Sequence, residues 1–161
     1  MNNILIIGAG RSAYYLIDYL AKQVPEEGWQ ITVIDANPTN LEQTAGAFKR
    51  ITTRVLNLDN AGERREVIAN HDVVLSLAPP VYNEAVARDC LETGRHLLMA
   101  SYLTPAIEAM HEQAQEQGLL FLMELGLDPG LDHLSAQQAI DDLKTNGATI
   151  RGFSSYTGGL V

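Results

Sequence analysis

The stretch ILIIGAGRSAYYLIDYL, residues 4–20, decides the fold of this chain. An aliphatic run that ends at Gly8 predicts a buried strand, and apolar residues then recur at helical spacing. The turn between them, GAGRSA at 8–13, matches the pattern Gly-x-Gly-x-x-Gly/Ala. Gly8 permits a tight turn, Gly10 lets a ligand approach the backbone, and Ala13 keeps the helix close to the sheet. This order of elements predicts a dinucleotide site, with the helix N-terminus facing a pyrophosphate.

The remainder of the chain repeats the alternation of strand and helix. A doubly wound, mainly parallel Rossmann sheet with flanking helices is therefore the expected fold, with ligands beyond the carboxyl ends of the strands. The last predicted helix runs from Pro129 to about residue 146, and an extended segment follows it from residue 149. The predicted strands are 4–8, 30–35, 52–59, 72–79, 96–101 and 119–125.

Composition narrows the class of protein. The 161 residues carry a formal net charge of −9 and lack any block of basic residues, so nucleic acid and anionic membranes are poor partners. The single cysteine, Cys90, excludes an internal disulfide framework, is expected to be buried, and indicates a reducing, cytoplasmic location. The four histidines are scattered without the spacing of a metal site, so no metal is expected.

The second predicted strand ends at Asp35, 22 residues after Ala13. An acidic side chain at this point can accept hydrogen bonds from the adenosine ribose, and it would repel a 2′-phosphate. NAD is therefore favoured as the cofactor. Arg11 could reach a phosphate, which keeps NADP as the alternative, and Ser12 completes the predicted cofactor-binding turn. A turn aspartate with no ligand is the competing interpretation of Asp35.

Two other strand ends are candidate cofactor contacts. Asp59 ends the third strand, where either an adenine contact or a solvent-facing turn residue fits. The fourth strand ends at Ser76, Leu77 and Ala78, where a Rossmann sheet brings backbone against the cofactor. Prolines follow at 79 and 80, and because they cannot donate hydrogen bonds they could simply terminate the strand.

The stretch MELGLDPGLDH, residues 123–133, is the second unusual motif. Asp128 followed by Pro129 predicts an N-cap and a first helical position, with approachable backbone N–H groups at Gly130. Such a helix start at the carboxyl edge of the sheet would be an anion site. A well-capped helix with a solvated Asp132 and His133 is the competing interpretation.

Residues 100–136, from ASYLTPAIEAM to GLDPGLDHLSA, closely resemble the saccharopine dehydrogenases of lysine metabolism, in their glutamate-forming branch. That family has an Ala-Ser-Tyr element before a helix and then Gly-Leu-Asp-Pro-Gly-x-Asp-His. Residues 71–102 and the glycine turn are similar too. The terminal SSYTGGLV resembles the family's Ser-Tyr-Cys-Gly-Gly-Leu segment, with Thr157 where cysteine is usual.

The resemblance implies an NAD(P)-dependent oxidoreductase that interconverts saccharopine with glutamate and aminoadipate semialdehyde by hydride transfer at a C–N bond. It places Ser101 and Tyr102 near the cleft between cofactor and an amino-acid substrate, and it makes residues 126–130, including Leu127, Asp128 and Pro129, the cleft floor. Asp132 and His133 become substrate or structural contacts. Candidates for the general base are Asp128, Tyr102 and His133, in that order.

The same resemblance implies how the chain is divided. Residues 1–125 would be the cofactor-binding domain, and residues 126–161 the junction with a truncated substrate domain. We therefore expect the chain to bind a dinucleotide without turning over saccharopine, and a homodimer is a further expectation. Two alternatives stay open: a related dehydrogenase on another amino-linked substrate, of the carboxyspermidine type, and a non-catalytic dinucleotide-sensing domain.

Overall fold

A computed structural model describes residues 3–156 and residue 158. Six parallel strands form one sheet in the order β3-β2-β1-β4-β5-β6, with helices on both faces, which confirms the predicted Rossmann class. The elements are β1 (Asn3–Ile7), α1 (Ala13–Glu27), β2 (Gln30–Asp35), α2 (Pro38–Thr44), β3 (Ile51–Val55), α3 (Ala61–Ala69), β4 (Val73–Ser76), α4 (Asn83–Thr93), β5 (His96–Met99), α5 (Pro105–Glu108), α6 (His111–Glu116), β6 (Phe121–Leu122) and α7 (Leu131–Thr145).

β1 lies between β2 and β4, so the strand order runs outward from β1 to β3 on one side and from β4 to β6 on the other. Ile7, the last residue of β1, is in register with Ile34 on one side and Ser76 on the other. The loops that leave β1, β2 and β4 are therefore neighbours at one edge of the sheet. This is the switch point at which open α/β sheets bind ligands.

Apolar side chains pack on both faces of the sheet because successive residues of β1 point in opposite directions. Leu5 and Ile7 pack with α3 and α4, whereas Ile6 packs with α1. Cys90 is fully buried in the first of these layers, as expected, and burial raises the pKa of its thiol. Its role is therefore packing rather than reactivity.

Local sequence signals place several helix ends correctly. Gly94 ends α4 in the left-handed region, with φ of 69°. The Thr104 hydroxyl accepts a hydrogen bond from Ile107 N at 3.3 Å, and Pro105 occupies the first position of α5. The cap accepts a hydrogen bond from one of the N–H groups that the first turn of a helix leaves free, and proline has no N–H that needs a partner.

Four predicted strands are too long, and one of them, predicted at 96–101, ends at Met99. β3 ends at Val55 because Asn57 turns the chain, its side chain accepting a hydrogen bond from Asp59 N at 3.0 Å. β4 ends at Ser76, ahead of Pro79 and Pro80. β6 has two residues, since the left-handed Glu124 (φ of 61°) breaks the extended conformation.

The sequence pattern of residues 104–118, opened by Thr104 and Pro105 and closed by Gly118, predicts one helix, but the structure divides it into α5 and α6. In the described part of the chain, no strand forms among residues 149–156 or at 158, so the extended element predicted from residue 149 is not a strand of the sheet. Thr157 and the last three residues lie outside the described part. Within residues 3–156, no helix has the length and apolar character needed to cross a bilayer.

Candidate functional site

The glycine turn after β1 is packed against the loop after β4. Gly8 has φ of 101°, and a Cβ at this position would lie 2.9 Å from the Leu77 carbonyl oxygen. Gly10 differs, because a Cβ there would meet nothing within 4 Å. The protein itself therefore requires glycine at position 8. At position 10 the open space is what a ligand approaching the backbone needs.

Ala9, between the two glycines, is held on both sides of its peptide. Its N–H donates to Asp35 Oδ2 at 2.8 Å, and its carbonyl accepts a hydrogen bond from the buried Thr44 hydroxyl at 2.9 Å. The turn is thereby fixed from β2 and α2 before any ligand arrives. Thr44 was missed at the level of sequence, since nothing local marks a contact that spans 35 residues.

Asp35 is at the predicted place, but its carboxylate already has protein partners. Besides Ala9, it accepts hydrogen bonds from Asn37 N at 2.7 Å and from Asn40 Nδ2 at 3.4 Å, both through Oδ1. A carboxylate has about four acceptor positions, so some capacity for a ribose hydroxyl is left. In this structure the Asp35 carboxylate holds the glycine turn in place through Ala9 N.

A cavity of about 430 Å³ opens at the switch point between the loops of β1, β2, β3 and β4. Among the described residues, Asp35 is the only charged one that lines it, and the rest of the wall is formed by aliphatic, proline and amide side chains, the Tyr82 ring and backbone. The lining residues are Ile7, Gly8, Gly10, Ile34, Asp35, Ala36, Asn40, Leu56, Asn57, Leu58, Leu77, Ala78, Pro79 and Tyr82. We call it the adenosine-side cavity.

A second cavity, of about 340 Å³, adjoins the first, since Leu77 and Ala78 line both. It joins the start of α1 to the segment that carries Tyr102 and Asp128. Its lining residues are Ser12, Leu77, Ala78, Pro80, Asn83, Ala100, Ser101, Tyr102, Thr104, Asp128 and Pro129. We call it the ring-side cavity. The glycine turn and the Asp-Pro bend thus lie at the same edge of the sheet.

Tyr102 and Asp128 are joined by a hydrogen bond in which the phenol donates to Asp128 Oδ1 at 2.7 Å. That hydrogen bond to a carboxylate is the main cause of the raised pKa of Tyr102. The pair places a proton between two oxygens on the wall of the ring-side cavity. This arrangement can hold a proton and pass it to or from a bound group.

The predicted helix start at Asp128 and Pro129 is wrong. The Asp128–Pro129 peptide is cis, Gly126 N donates to the Pro129 carbonyl at 2.9 Å, and α7 begins only at Leu131. Gly130, with φ of 144°, makes the turn into the helix. A compact loop, closed by a bridge between Gly126 and Gly130, has replaced the expected cap.

The N–H of Gly130 is also not free for an anion, because it donates to Asp132 Oδ1 at 2.9 Å. The same oxygen lies 2.8 Å from His133 Nδ1. The hydrogen bond with His133 lowers the pKa of Asp132, and Asp132 raises the pKa of His133. Asp132 and His133 therefore pair with each other at the start of α7.

Several predicted residues line neither cavity. Asp59 is exposed and accepts a hydrogen bond from the Tyr82 hydroxyl at 3.0 Å, so it acts at the rim through a residue that does line the adenosine-side cavity. This bond raises the pKa of Tyr82. The others are Arg11, Ala13, Ser76, Gly126, Leu127, Gly130, Asp132 and His133.

A further cavity lies away from this edge of the sheet. A larger depression, about 760 Å³, follows α5, α6 and β6 and is lined by none of the predicted site residues. In the described part of the chain, no group of three or more histidine, cysteine or carboxylate side chains could hold a metal ion.

Comparison with known proteins gives the family. Residues 4–122 match the family described as the saccharopine dehydrogenase NADP binding domain. The chain is 34% identical over 158 residues to mitochondrial alpha-aminoadipic semialdehyde synthase of Bos taurus, covering 98% of this chain and 17% of that protein. It is 31% identical to saccharopine dehydrogenase [NADP(+), L-glutamate-forming] of Saccharomyces cerevisiae, covering 98% of this chain and 34% of the relative.

A solved structure agrees with these relatives. Apo saccharopine dehydrogenase (L-Glu forming) from Saccharomyces cerevisiae superposes with a TM-score of 0.78 at 28% identity, over 91% of this chain and 32% of that one. The chain thus spans between about a sixth and a third of the length of these relatives. The family description and the name of the yeast relative specify NADP, whereas Asp35 had favoured NAD. This chain belongs to the saccharopine dehydrogenase NADP-binding domain family.

Proposed function

We propose that this chain is the nicotinamide-dinucleotide-binding part of an oxidoreductase that acts on the C–N bond of saccharopine. The observation that carries the proposal is the pair of adjoining cavities, joined at Leu77 and Ala78. One is bordered by the glycine turn and Asp35, the other by Tyr102 and Asp128. When bound, the nicotinamide supplies the hydride chemistry, and the protein supplies position and charge.

The residues present fit a dinucleotide. The open space at Gly10 leaves room for a pyrophosphate beside the backbone, and the 15-residue helix α1 begins directly after this turn. Free N–H groups and the positive end of the helix dipole favour an anion there. The adenosine half would lie beside Asp35 and Asn40, and the ring half beside Ser12.

NADP is the proposed cofactor, in agreement with the family description and the name of the yeast relative. The preference for NAD predicted from Asp35 assumed a carboxylate free to meet the ribose. Its two oxygens instead bind Ala9 N, Asn37 N and Asn40, and these donors offset part of its charge.

For the chemistry itself, Asp128 is the proposed proton acceptor and Tyr102 its hydrogen-bonded partner on the cavity wall. In the oxidative direction the substrate nitrogen loses a proton as hydride leaves the adjacent carbon, and water then hydrolyses the imine. A carboxylate that also binds a phenol can take that proton. His133 ranks third because it lines neither cavity and pairs with Asp132.

The division of the chain is also a proposal: residues 1–125 as the cofactor domain and 126–161 as the junction with a substrate domain. The burial pattern supports it, since no residue of α7 is buried. The chain alone would then bind dinucleotide without oxidising saccharopine. We also propose a small amino-acid substrate, a cytoplasmic location and a homodimer, without nucleic acid or membrane partners. The acidic charge and the free, buried Cys90 support the location and the lack of such partners.

Calorimetric titration of the chain with NADP, NAD and ATP tests the binding proposal. We expect saturable binding of NADP, weaker binding of NAD and little heat from ATP at the same concentration. Failure of both dinucleotides to bind would contradict the proposal. Tighter binding of NAD than of NADP would keep the site and reverse the cofactor. A matched titration of Gly10→Ala, described in the Discussion, shows whether the binding uses the glycine turn.

A further inference from the structure

Two buried polar atoms near the ring-side cavity have no hydrogen-bond partner in the described part of the chain: Asn83 Oδ1 and Ser76 Oγ. Both residues are only 2% exposed. Asn83 begins α4, directly after the 3₁₀ turn Pro80–Tyr82, and Ser76 ends β4. Buried acceptors are almost always satisfied in folded proteins, so an exception next to a cavity calls for a donor from outside the chain.

Asn83 itself lines the ring-side cavity, which Ser76 does not. Asn83 is separated from the adenosine-side cavity by Leu77 and Ala78, the two residues that line both cavities. A dinucleotide that crosses the glycine turn therefore brings its ring half, rather than its adenosine half, to this side chain. The nicotinamide ring carries a carboxamide, whose N–H groups are donors and whose oxygen is an acceptor.

We propose that Asn83 binds the nicotinamide carboxamide, with Asn83 Oδ1 accepting a hydrogen bond from the carboxamide N–H. This inference rests on the proposed function, because it assigns one end of the ligand to one end of the site. A neutral amide suits the position. It orients the ring through a directed hydrogen bond without adding a charge to a cavity wall that already carries Asp128.

Ligands that differ only at the ring test the assignment. NADP is compared with its 3-acetylpyridine analogue, in which a methyl group replaces the carboxamide nitrogen. It is also compared with 2′-phospho-ADP-ribose, which lacks the nicotinamide ring. On the wild-type chain we expect NADP to bind about tenfold more tightly than the acetylpyridine analogue, as for one lost hydrogen bond to a buried acceptor. Equal affinities would overturn the proposal without any substitution.

The variant Asn83→Leu then locates the effect, because leucine has a similar size and no polar atom. It should weaken the binding of NADP about tenfold and change the affinities for the acetylpyridine analogue and phospho-ADP-ribose by no more than about twofold. The preference for NADP over the acetylpyridine analogue should therefore be lost. Asn40→Leu is the matched control. Asn40 lines the adenosine-side cavity, so any loss should be shared by all three ligands.

The outcomes separate the two proposals. If the wild-type chain binds none of the three ligands, the proposed function fails and this assignment fails with it. If it binds phospho-ADP-ribose and NADP but Asn83→Leu weakens both equally, Asn83 has a structural role only, and the assignment fails while the function stands. Retention of the tenfold preference in Asn83→Leu also overturns it.

Discussion

Arg64 and Asp89 form a buried ion pair, with Arg64 Nε 2.7 Å from Asp89 Oδ2. The same guanidinium donates through Nη1 to the Leu58 carbonyl at 2.5 Å. Because Leu58 lines the adenosine-side cavity and Asp89 belongs to α4, this one side chain ties the β3 loop to the helix behind it. The Leu58 part of the cavity wall is thereby held by two side chains that do not themselves line the cavity.

We predict that Arg64→Met destabilises the fold by about 3–5 kcal/mol, because it leaves the Asp89 carboxylate buried without its partner. Guanidinium chloride unfolding, followed by circular dichroism, measures the change in the free energy of unfolding. The matched control is Arg65→Met. Arg65 and Glu92 pair between the same two helices, α3 and α4, but both side chains are about half exposed. This control substitution should cost no more than about 1 kcal/mol. Equal effects of the two substitutions would contradict the assigned role of the buried pair.

Two glycine substitutions should have opposite signatures. Gly10→Ala meets no atom within 4 Å, so we expect an unchanged melting temperature and dinucleotide affinity reduced at least about tenfold, since the methyl group occupies the space for the ligand. Gly8→Ala forces a Cβ against the Leu77 carbonyl and a left-handed backbone, so it should lower the melting temperature instead. Calorimetry and thermal unfolding measure the two quantities. Normal affinity in Gly10→Ala would remove the glycine turn from the binding site.

Asp35→Asn tests how the carboxylate influences the choice of cofactor. The substitution removes a negative charge near the position of a 2′-phosphate, so the ratio of NADP affinity to NAD affinity should rise by about tenfold. The loop is disturbed as well, because an amide has one acceptor oxygen where Asp35 uses two. That disturbance lowers both affinities and cancels in the ratio. An unchanged ratio would show that Asp35 does not face the ribose.

The pair of Tyr102 and Asp128 predicts a pH effect. The phenol donates to the carboxylate, so the pKa of Tyr102 lies above the usual value of 10.0, and ultraviolet titration should show Tyr102 ionising above that value. The contact is intact below pH 10 and is lost as the pH rises through the raised pKa. In Asp128→Asn this phenol should titrate closer to 10. Subtracting the titration of Tyr102→Phe isolates the signal, and an identical Tyr102 titration in wild type and Asp128→Asn would contradict the contact.

The fold was accessible from sequence because its signals are local. The aliphatic run before Gly8, the cap and proline at Thr104 and Pro105, and the stop at Gly94 each act within a few residues, and each is present in the structure. The carboxyl ends of parallel strands meet at one edge, so the topology alone brought Ser12 and Asp128 to one cavity.

What was missed depends on contacts between distant parts of the chain. Thr44 reaches the Ala9 carbonyl, and Asn83 Oδ1 lacks a partner among the described residues, only because of how the elements pack. The helix start predicted at Asp128 failed for a related reason. The bridge between Gly126 and Gly130 competes with the cap, and only the folded loop shows that it prevails.

The lack of buried residues in α7 implies that the motif GLDPGLDH belongs to two units of different local stability. A helix of 15 residues with no buried residue gains little stability from tertiary packing, so its amides should exchange with deuterium by local opening. Leu125, by contrast, donates to the Met99 carbonyl at the end of β5 and shares the protection of the sheet. Asp128 lies near this hydrogen-bonded segment, whereas His133 belongs to α7 and should follow its local opening.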